Sequence, residues 1–163
     1  MKKSNDEIDR GADFSKCKNY RYTLTRFWNK KLPHVLFILL NPSTADESYD
    51  DPTNRRGMGF AKKWGYGGVV FCNLFAYRTP FPEELKKAKN PVGPENNKWL
   101  KKEAKNAKLI ISSWGNHGTF LNRNKEVIKM ISKMHHLGLT KLGEPKHILY
   151  LKKSLKPIPF NYS

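Results

Sequence analysis

Cysteine is scarce in this chain: Cys17 and Cys72 are the only two, and neither belongs to a Cys-x-x-Cys pair. A cysteine-ligated zinc site is therefore not expected. Cys72 lies within an apolar run, which predicts a buried thiol. This cysteine usage is typical of a reducing compartment, and we expect a cytoplasmic protein.

Long apolar runs are also lacking. No stretch approaches the roughly 20 apolar residues that a membrane-spanning helix needs. Residues 1–10 are polar and charged, which is not typical of a secretory signal. We therefore expect no contact with a membrane.

The motifs of several enzyme classes are missing. The chain has no Gly-x-Gly-x-x-Gly string and no P-loop, so no nucleotide cofactor is expected. Ser43 lacks the Gly-x-Ser-x-Gly elbow that activates a serine nucleophile. Asp46, Asp50 and Asp51 carry oxygen ligands that suit Mg²⁺. Three aspartates on one turn more often cap a helix and fill Asx turns, so we expect no metal.

Acidic residues are few. The chain has 14 Asp and Glu against 31 Lys and Arg, which gives a net charge of +17. Such a balance favours a polyanionic partner, most often nucleic acid, through steering and counterion release. The excess is spread along the chain rather than concentrated in a tail. The alternative is a surface that is merely rich in lysine.

What the chain does contain is enough for one domain with a core: 163 residues, of which 38% are hydrophobic and 12% aromatic. The polar residues 1–18 predict a flexible N-terminal segment, and residues 19–163 predict a single α/β domain. We expect a monomer.

Periodicity and turn residues predict a mostly parallel sheet with helices on both faces. The predicted strands cover 20–28, 35–40, 69–75, 109–114 and 147–151, and the predicted helices cover 52–64, 83–88, 95–107 and 122–136. Strand 20–28 alternates and is expected at a sheet edge. Asp51 is expected to cap the helix that starts at Pro52.

Polar residues follow three of the buried strands. Asn41 ends the first, Asn73 lies near the end of the second, and the turn with Asn116 and His117 follows the third. The carboxyl ends of neighbouring parallel strands meet at one edge of a sheet, where α/β proteins place their ligand sites. The sequence therefore predicts a site at that edge, with Asn41 at its centre.

Two resemblances rest on these residues. The chain resembles the DUF1643 family of bacterial and phage proteins of unknown function over about residues 20 to 160. The strings that carry this likeness are 40–46, 50–53, 55–56, 60–61, 64–67, 73–76, 93–96 and 114–118. The Asn41-Pro42-Ser43 turn, Asn73, the string 113–117 and the late His147 together resemble the uracil-DNA glycosylase superfamily.

The glycosylase resemblance implies a three-layer αβα sandwich around a short, mostly parallel sheet. It also implies a role for each matching residue. Asn41, with Asp46, would hold the water that attacks the sugar C1′, and His147 matches the histidine that opens the last motif. Asn73 would read the base edge and Tyr49 would stack on a flipped base, with Phe75 and Trp114 as further aromatic candidates. Phosphate contacts are expected from Ser43, Arg55, Arg56, Arg78, Asn116, His117, Lys152 and Lys153.

The sequence departs from the glycosylase pattern at two points. Asn41 is followed by Pro-Ser rather than Pro-Gly, and His147 opens His-Ile-Leu-Tyr-Leu rather than His-Pro-Ser-Pro-Leu. The residue that intercalates into DNA is therefore not transferred. The favoured function is a DNA base glycosylase acting on a damaged or modified base. A non-catalytic nucleic-acid-binding protein and an enzyme of free nucleotides stay open as alternatives.

Overall fold

The computed structural model describes residues 7–43 and 45–161, which form an α/β fold with one seven-stranded sheet and four α-helices. The strands are β1 Asp9–Phe14, β2 Arg21–Phe27, β3 His34–Leu39, β4 Gly68–Asn73, β5 Leu109–Ser112, β6 His135–His136 and β7 Ile158–Pro159. The helices are α1 Pro52–Lys63, α2 Pro82–Lys87, α3 Asn96–Asn106 and α4 Arg123–Met130, and two 3₁₀ segments cover Asn116–Asn122 and Ile148–Tyr150.

The sheet is mixed, with the strand order β1-β2-β4-β3-β5-β6-β7. Its core is parallel: β3 pairs with β4 and β5, and β5 pairs with β6. The flanking pairs β1–β2, β2–β4 and β6–β7 are antiparallel. The expectation of a mostly parallel sheet therefore holds only for the core, because the chain outside the core returns to the sheet in the opposite direction.

The central strand β3 is buried on both faces, as its apolar run predicted. Val35, Phe37 and Leu39 pack in one cluster with residues of α1. Leu36 and Ile38 pack in a second cluster with residues of α2, α3 and α4. Since successive side chains of a strand point to opposite faces, helices cover both faces of the sheet.

Helix α1 begins where the sequence predicted. Asp51 is its N-cap and accepts a hydrogen bond from the backbone N–H of Asn54, and Pro52 stands in the first turn. Trp64 is the C-cap, and Gly65 follows with a φ of 87°. The cap therefore fixes the start of the helix at the polar edge of the sheet, and the glycine ends the helix before the chain enters β4.

The N-terminal expectations need correction. The range 1–18 was expected to be flexible, but residues 9–14 form β1 and pair with β2. The hydroxyl of Thr23 donates to the Asp13 carboxylate at 2.6 Å. Polar groups therefore stabilise the pairing of β1 with β2, and a search for apolar periodicity does not predict such a strand. Because β1 pairs with the outer edge of β2, the strand predicted over 20–28 is not the edge strand of the sheet. Residues 21–24 are buried. Residues 1–6 lie outside the described part of the chain.

The C-terminal expectations also need correction. The helix predicted over 122–136 ends at Met130, because Ile131 is extended and Lys133 has a φ of 61°. The apolar residues Ile131 and Met134 are buried in non-helical chain that leads into β6. The strand predicted over 147–151 is instead a 3₁₀ turn, whose Ile148 packs in the α1 cluster. In the described ranges, no helix is long and apolar enough to cross a membrane.

Candidate functional site

A small cavity opens at the carboxyl end of β3, between the loops that follow β3 and β4 and the start of α1. Its volume is about 160 Å³, and we call it the strand-end pocket. An apolar cavity of roughly 150 Å³ accommodates benzene, so this volume is on the scale of one six-membered ring. The lining residues are Arg21, Leu39, Asn41, Pro42, Ser43, Asp51, Thr53, Asn54, Thr79, Pro80 and His147.

Asn41 lies in this pocket, at the edge of the sheet where the sequence placed it. Its Nδ2 donates to the carbonyl oxygens of Thr79 at 2.7 Å and Pro42 at 3.2 Å. The amide nitrogen therefore holds together the loops after β3 and β4. The Oδ1 atom is left as the acceptor that Asn41 can offer to a water or a ligand.

His147 lies in the pocket as well, although it caps a 3₁₀ turn rather than opening a strand. Its Nδ1 accepts a hydrogen bond from the backbone N–H of Leu149 at 3.2 Å. Burial lowers the pKa of His147, and the nearby charge of Asp51 opposes that shift in part. The ring is therefore neutral at pH 7, with its proton on Nε2, where it is a hydrogen-bond donor.

Asp51, which the sequence assigned to a helix cap and weighed with Asp46 and Asp50 as a Mg²⁺ ligand, is a functional candidate for this pocket. One carboxylate oxygen accepts the hydrogen bond from Asn54 at 2.9 Å, and the residue also lines the pocket. A capping aspartate has a second oxygen that the cap does not use. Asp51 is the carboxylate among the lining residues, so its free oxygen can accept a hydrogen bond from a water in the strand-end pocket.

Arg21 is a pocket residue that the sequence did not single out. It is 2% exposed and lines the pocket, and its Nη1 donates to the carbonyl of Ala45 at 2.8 Å. Burial lowers its pKa to about 10, which leaves the guanidinium charged at neutral pH. No motif marks this position, because its side chain direction depends on an irregularity of β2.

That irregularity is a β-bulge. Asp13 pairs with Thr23 and Phe14 pairs with Arg21, so Tyr22 is the extra residue of β2. The ring of Tyr22 stacks on Trp99 of α3, on the sheet face opposite the α1 cluster. Beyond the bulge, Arg21 reaches the loop after β3 on the same side as Arg26. Bulges re-aim side chains in this way and are frequent beside active sites.

Asn73 lies next to the pocket but does not line it. It is fully buried and pairs with Leu39 in the parallel register of β3 and β4. Within the described part of the chain, its Nδ2 and Oδ1 have no hydrogen-bond partner. A buried amide without partners is costly. Asn73 is therefore a further candidate for a polar contact beside the pocket, next to the lining residue Leu39. The expected contact of Asn73 with a base edge remains a prediction.

Two predicted site residues lie in a turn outside the pocket. The Oδ1 of Asp46 accepts hydrogen bonds from the N–H and the hydroxyl of Ser48 and from the N–H of Tyr49. These bonds, with the backbone of Ser48 contributing most, lower the pKa of Asp46. The ring of Tyr49 is 51% exposed. Asp46 therefore shapes the turn, and neither side chain belongs to the pocket lining that contains Asn41.

The other two aromatic candidates are in the core. Phe75 and Trp114 are 0% and 1% exposed and belong to the cluster on the α3 face. Trp114 donates from Nε1 to Glu144 at 2.9 Å. Both rings are inaccessible to a base in this structure, so their burial does not support the expectation that they stack on a base, which stays a prediction. Both side chains fill the apolar core on this face of the sheet.

The residues expected at phosphates divide into two groups. Arg55, Arg56 and Lys153 line a groove of about 570 Å³ along α1, together with Lys62 and Lys63. We call this the basic groove. Pro52 also lines it, so it starts at the end of α1 that borders the strand-end pocket. No acidic residue is among the described residues that line it.

The remaining phosphate candidates lie elsewhere. Arg78 stacks on Phe14 and donates to the carbonyl of Lys18 at 3.1 Å, which gives it a structural role. The Oδ1 of Asn116 accepts from Thr140 at 2.7 Å. The remaining members of the set are exposed His117 and Lys152, outside both cavities, and Ser43, which lines the strand-end pocket. Across residues 7–43 and 45–161, no group of three or more His, Cys, Asp or Glu is placed to hold a metal.

One comparison with known proteins gives a match. A family model described as "Protein of unknown function (DUF1643)" matches residues 21–149. The matched range begins at Arg21 and includes His147, so it contains every residue that lines the strand-end pocket. The strands β1 and β7 lie outside it. No curated protein and no solved structure matches the chain.

Proposed function

We propose that this chain, which belongs to the DUF1643 family, is a nucleic-acid-binding enzyme that hydrolyses the N-glycosidic bond of a nucleotide unit held in the strand-end pocket. The observation that carries the proposal is the convergence of Asn41, Asp51 and His147 on one small polar pocket at the carboxyl edge of the parallel core. Helices on both sheet faces agree with the three-layer architecture of the glycosylase superfamily, to which we propose a relationship.

The three residues suit the separate demands of this hydrolysis. The bond between C1′ and the base nitrogen breaks, and its electron pair leaves with the base. The sugar is left with oxocarbenium character, and water attacks C1′ while it gives up a proton. Asn41 Oδ1 and Asp51 would hold that water, with Asp51 as the proton acceptor. The Nε2 proton of neutral His147 would stabilise the charge on the departing base.

The basic groove supplies the surface for the nucleic acid strand. Five cationic side chains, Arg55, Arg56, Lys62, Lys63 and Lys153, line it. A groove with this charge suits the phosphates of a strand whose one extruded unit enters the neighbouring pocket. The net charge of +17 supports the same assignment.

The test is incubation with oligonucleotides that carry uracil, mismatches or hypermodified bases, followed by alkaline cleavage at abasic sites. We expect abasic product from at least one substrate. Asp51→Asn should abolish product while it preserves the helix, because asparagine is an equally good N-cap. The matched control is Asp46→Asn, which alters a carboxylate of the neighbouring turn and should retain activity.

A negative outcome is also informative. Salt-dependent binding without abasic product from any substrate, unchanged by Asn41→Ala, identifies a non-catalytic nucleic-acid-binding protein. Binding of free nucleotides without binding of oligonucleotides at moderate salt identifies an enzyme of small substrates. Either result overturns the proposed glycosylase activity.

A further inference from the structure

Arg21 differs from the other fully buried arginines of the described chain in having no acidic partner. Arg26 is 0% exposed and donates to Asp50 at 2.7 Å, and Arg123 is 1% exposed and donates to Glu126 at 2.6 Å. Arg21, at 2% exposure, forms no ion pair with the described residues. A buried guanidinium without an acidic group in contact is unfavourable, so Arg21 needs an explanation that Arg26 and Arg123 do not.

The unused atoms of Arg21 form one edge of its planar group. Its single hydrogen bond to the described residues goes from Nη1 to Ala45. Nε is buried and has no partner among residues 7–43 and 45–161. Nε and Nη2 present parallel N–H groups on the same edge, which is the geometry that binds a carboxylate or a phosphate with two hydrogen bonds.

The rest of the pocket completes a donor set around this edge. Ser43 and Thr53, which each carry a hydroxyl donor, line the pocket, and so does His147, whose Nε2 carries a proton. Asp51 lines it too and lies close enough for its charge to act on Arg21. An anionic oxygen therefore fits on the Arg21 side, and a hydrogen-bond donor of the same ligand fits on the Asp51 side.

We infer that the strand-end pocket binds an oxyanion through the Nε–Nη2 edge of Arg21, and that the nucleotide unit entering the pocket carries this oxyanion. The identity of the carrier rests on the proposed function, whereas the oxyanion site rests on Arg21 alone. The negative charge has two chemical sources in a nucleotide: an acidic substituent on the base, or a phosphate group.

Free probes separate these sources. Orotate, a uracil with a carboxylate, and inorganic phosphate are titrated into the full chain by calorimetry, with uracil as the neutral reference. We expect one of the two anions to bind and uracil to bind at least about tenfold more weakly, the size expected for loss of a charge-assisted pair. Arg21→Lys should weaken binding by a similar factor, because lysine keeps the charge but lacks the two-donor edge.

The matched control is Arg123→Lys, which alters an equally buried arginine away from the pocket and should leave anion binding unchanged. A measurement on the unaltered chain covers the case in which Arg21→Lys does not fold. In protein labelled with ¹³C and ¹⁵N in arginine, the side-chain Nε–H signal of Arg21, assigned through the connectivity of its own side chain, should shift when the anion is added.

The inference is overturned if neither anion binds, or if binding leaves the Arg21 signal and the Arg21→Lys affinity unchanged. These outcomes are separate from those of the abasic-site assay. Anion binding at Arg21 without any abasic product supports the oxyanion site and contradicts the glycosylase activity. Abasic product without anion binding supports the glycosylase activity and contradicts the oxyanion site.

Discussion

The Nε of Arg26 donates to an oxygen of Asp50 at 2.7 Å, and this bond ties the segment between β3 and α1 to the sheet. Arg26 has no exposed surface, and the other oxygen of Asp50 accepts from Arg10 at 2.8 Å. Arg26 also donates to the backbone carbonyls of Asp46 and Tyr49. The loop that leads from the strand-end pocket into α1 is thus anchored by one buried arginine.

Asp50→Asn should destabilise the protein substantially. The substitution leaves the Arg26 charge buried without its counter-charge, and the loss of one partner of such a pair costs roughly 3 kcal/mol. Denaturant unfolding monitored by tryptophan fluorescence measures the change. Asp9→Asn is the matched control, because it breaks the exposed ion pair with Lys30 and should cost less than about 1 kcal/mol. Equal effects of the two substitutions would contradict the anchoring role.

Stability should fall in acid through the same carboxylate. Burial alone raises the pKa of Asp50, but the hydrogen bonds from Arg10 and Arg26 outweigh it and the pKa is lowered. A lowered folded-state pKa gives stability that is present above the unfolded value of about 3.9 and is lost as the pH falls through the folded value. Melting temperatures between pH 7 and pH 2 should therefore drop below about pH 4, and less steeply in Asp50→Asn.

Two glycines of α1 should respond in opposite directions to alanine. A Cβ at Gly57 would lie 2.6 Å from the ring of Phe71, whereas a Cβ at Gly59 would meet nothing within 4 Å. Gly59→Ala should stabilise the protein by up to about 1 kcal/mol through helix propensity. Gly57→Ala should destabilise it by about 1–3 kcal/mol, because the core must shift. Urea unfolding of both variants is the measurement, and stabilisation by Gly57→Ala would show that α1 packs less closely on β4.

The basic groove should set the salt dependence of nucleic acid binding. Neutralising Lys62, Lys63 and Lys153 to glutamine removes three cations from the groove. Each lost phosphate contact should reduce the slope of log K against log salt by about 0.7–0.9. Lys98, Lys101 and Lys105 of α3 are exposed on the helix that packs on the opposite sheet face, and the same triple change there is the control. Identical slopes for both triple variants would exclude the groove as the binding surface.

Where local chemistry decides the structure, the sequence was a good guide. The apolar run before Asn41 predicted a strand buried on both faces, and Asp51-Pro52 predicted the start of α1. The polar ends of consecutive parallel strands predicted the edge at which the pocket lies. These features depend on burial, capping and the right-handed connection of parallel strands, all of which act over short stretches of chain.

Where contacts between residues far apart in the chain decide the structure, the sequence was a poor guide. Strand β1 forms because it pairs with the free edge of β2. The end of α4 depends on the burial of Met134 directly before β6. Phe75 and Trp114 follow strands, as site residues do, yet their large rings were needed to fill the core. Arg21 was missed because strict alternation along 20–28 places its side chain on the face opposite Leu24. Only the bulge at Tyr22 turns that side chain to the same face as Leu24 and into the pocket lining.

That bulge lets two neighbouring residues of β2 serve opposite faces of the sheet. Tyr22 stacks on Trp99 of α3, while Arg21 lines the strand-end pocket. Deleting Tyr22 would leave Arg21 two positions before Leu24, where strict alternation keeps its guanidinium on the pocket side, so the deletion would remove the contact with Trp99 and spare the charge of the pocket. The odd spacing between Arg21 and Leu24 on one face is therefore as much a signature of the site as Asn41 itself.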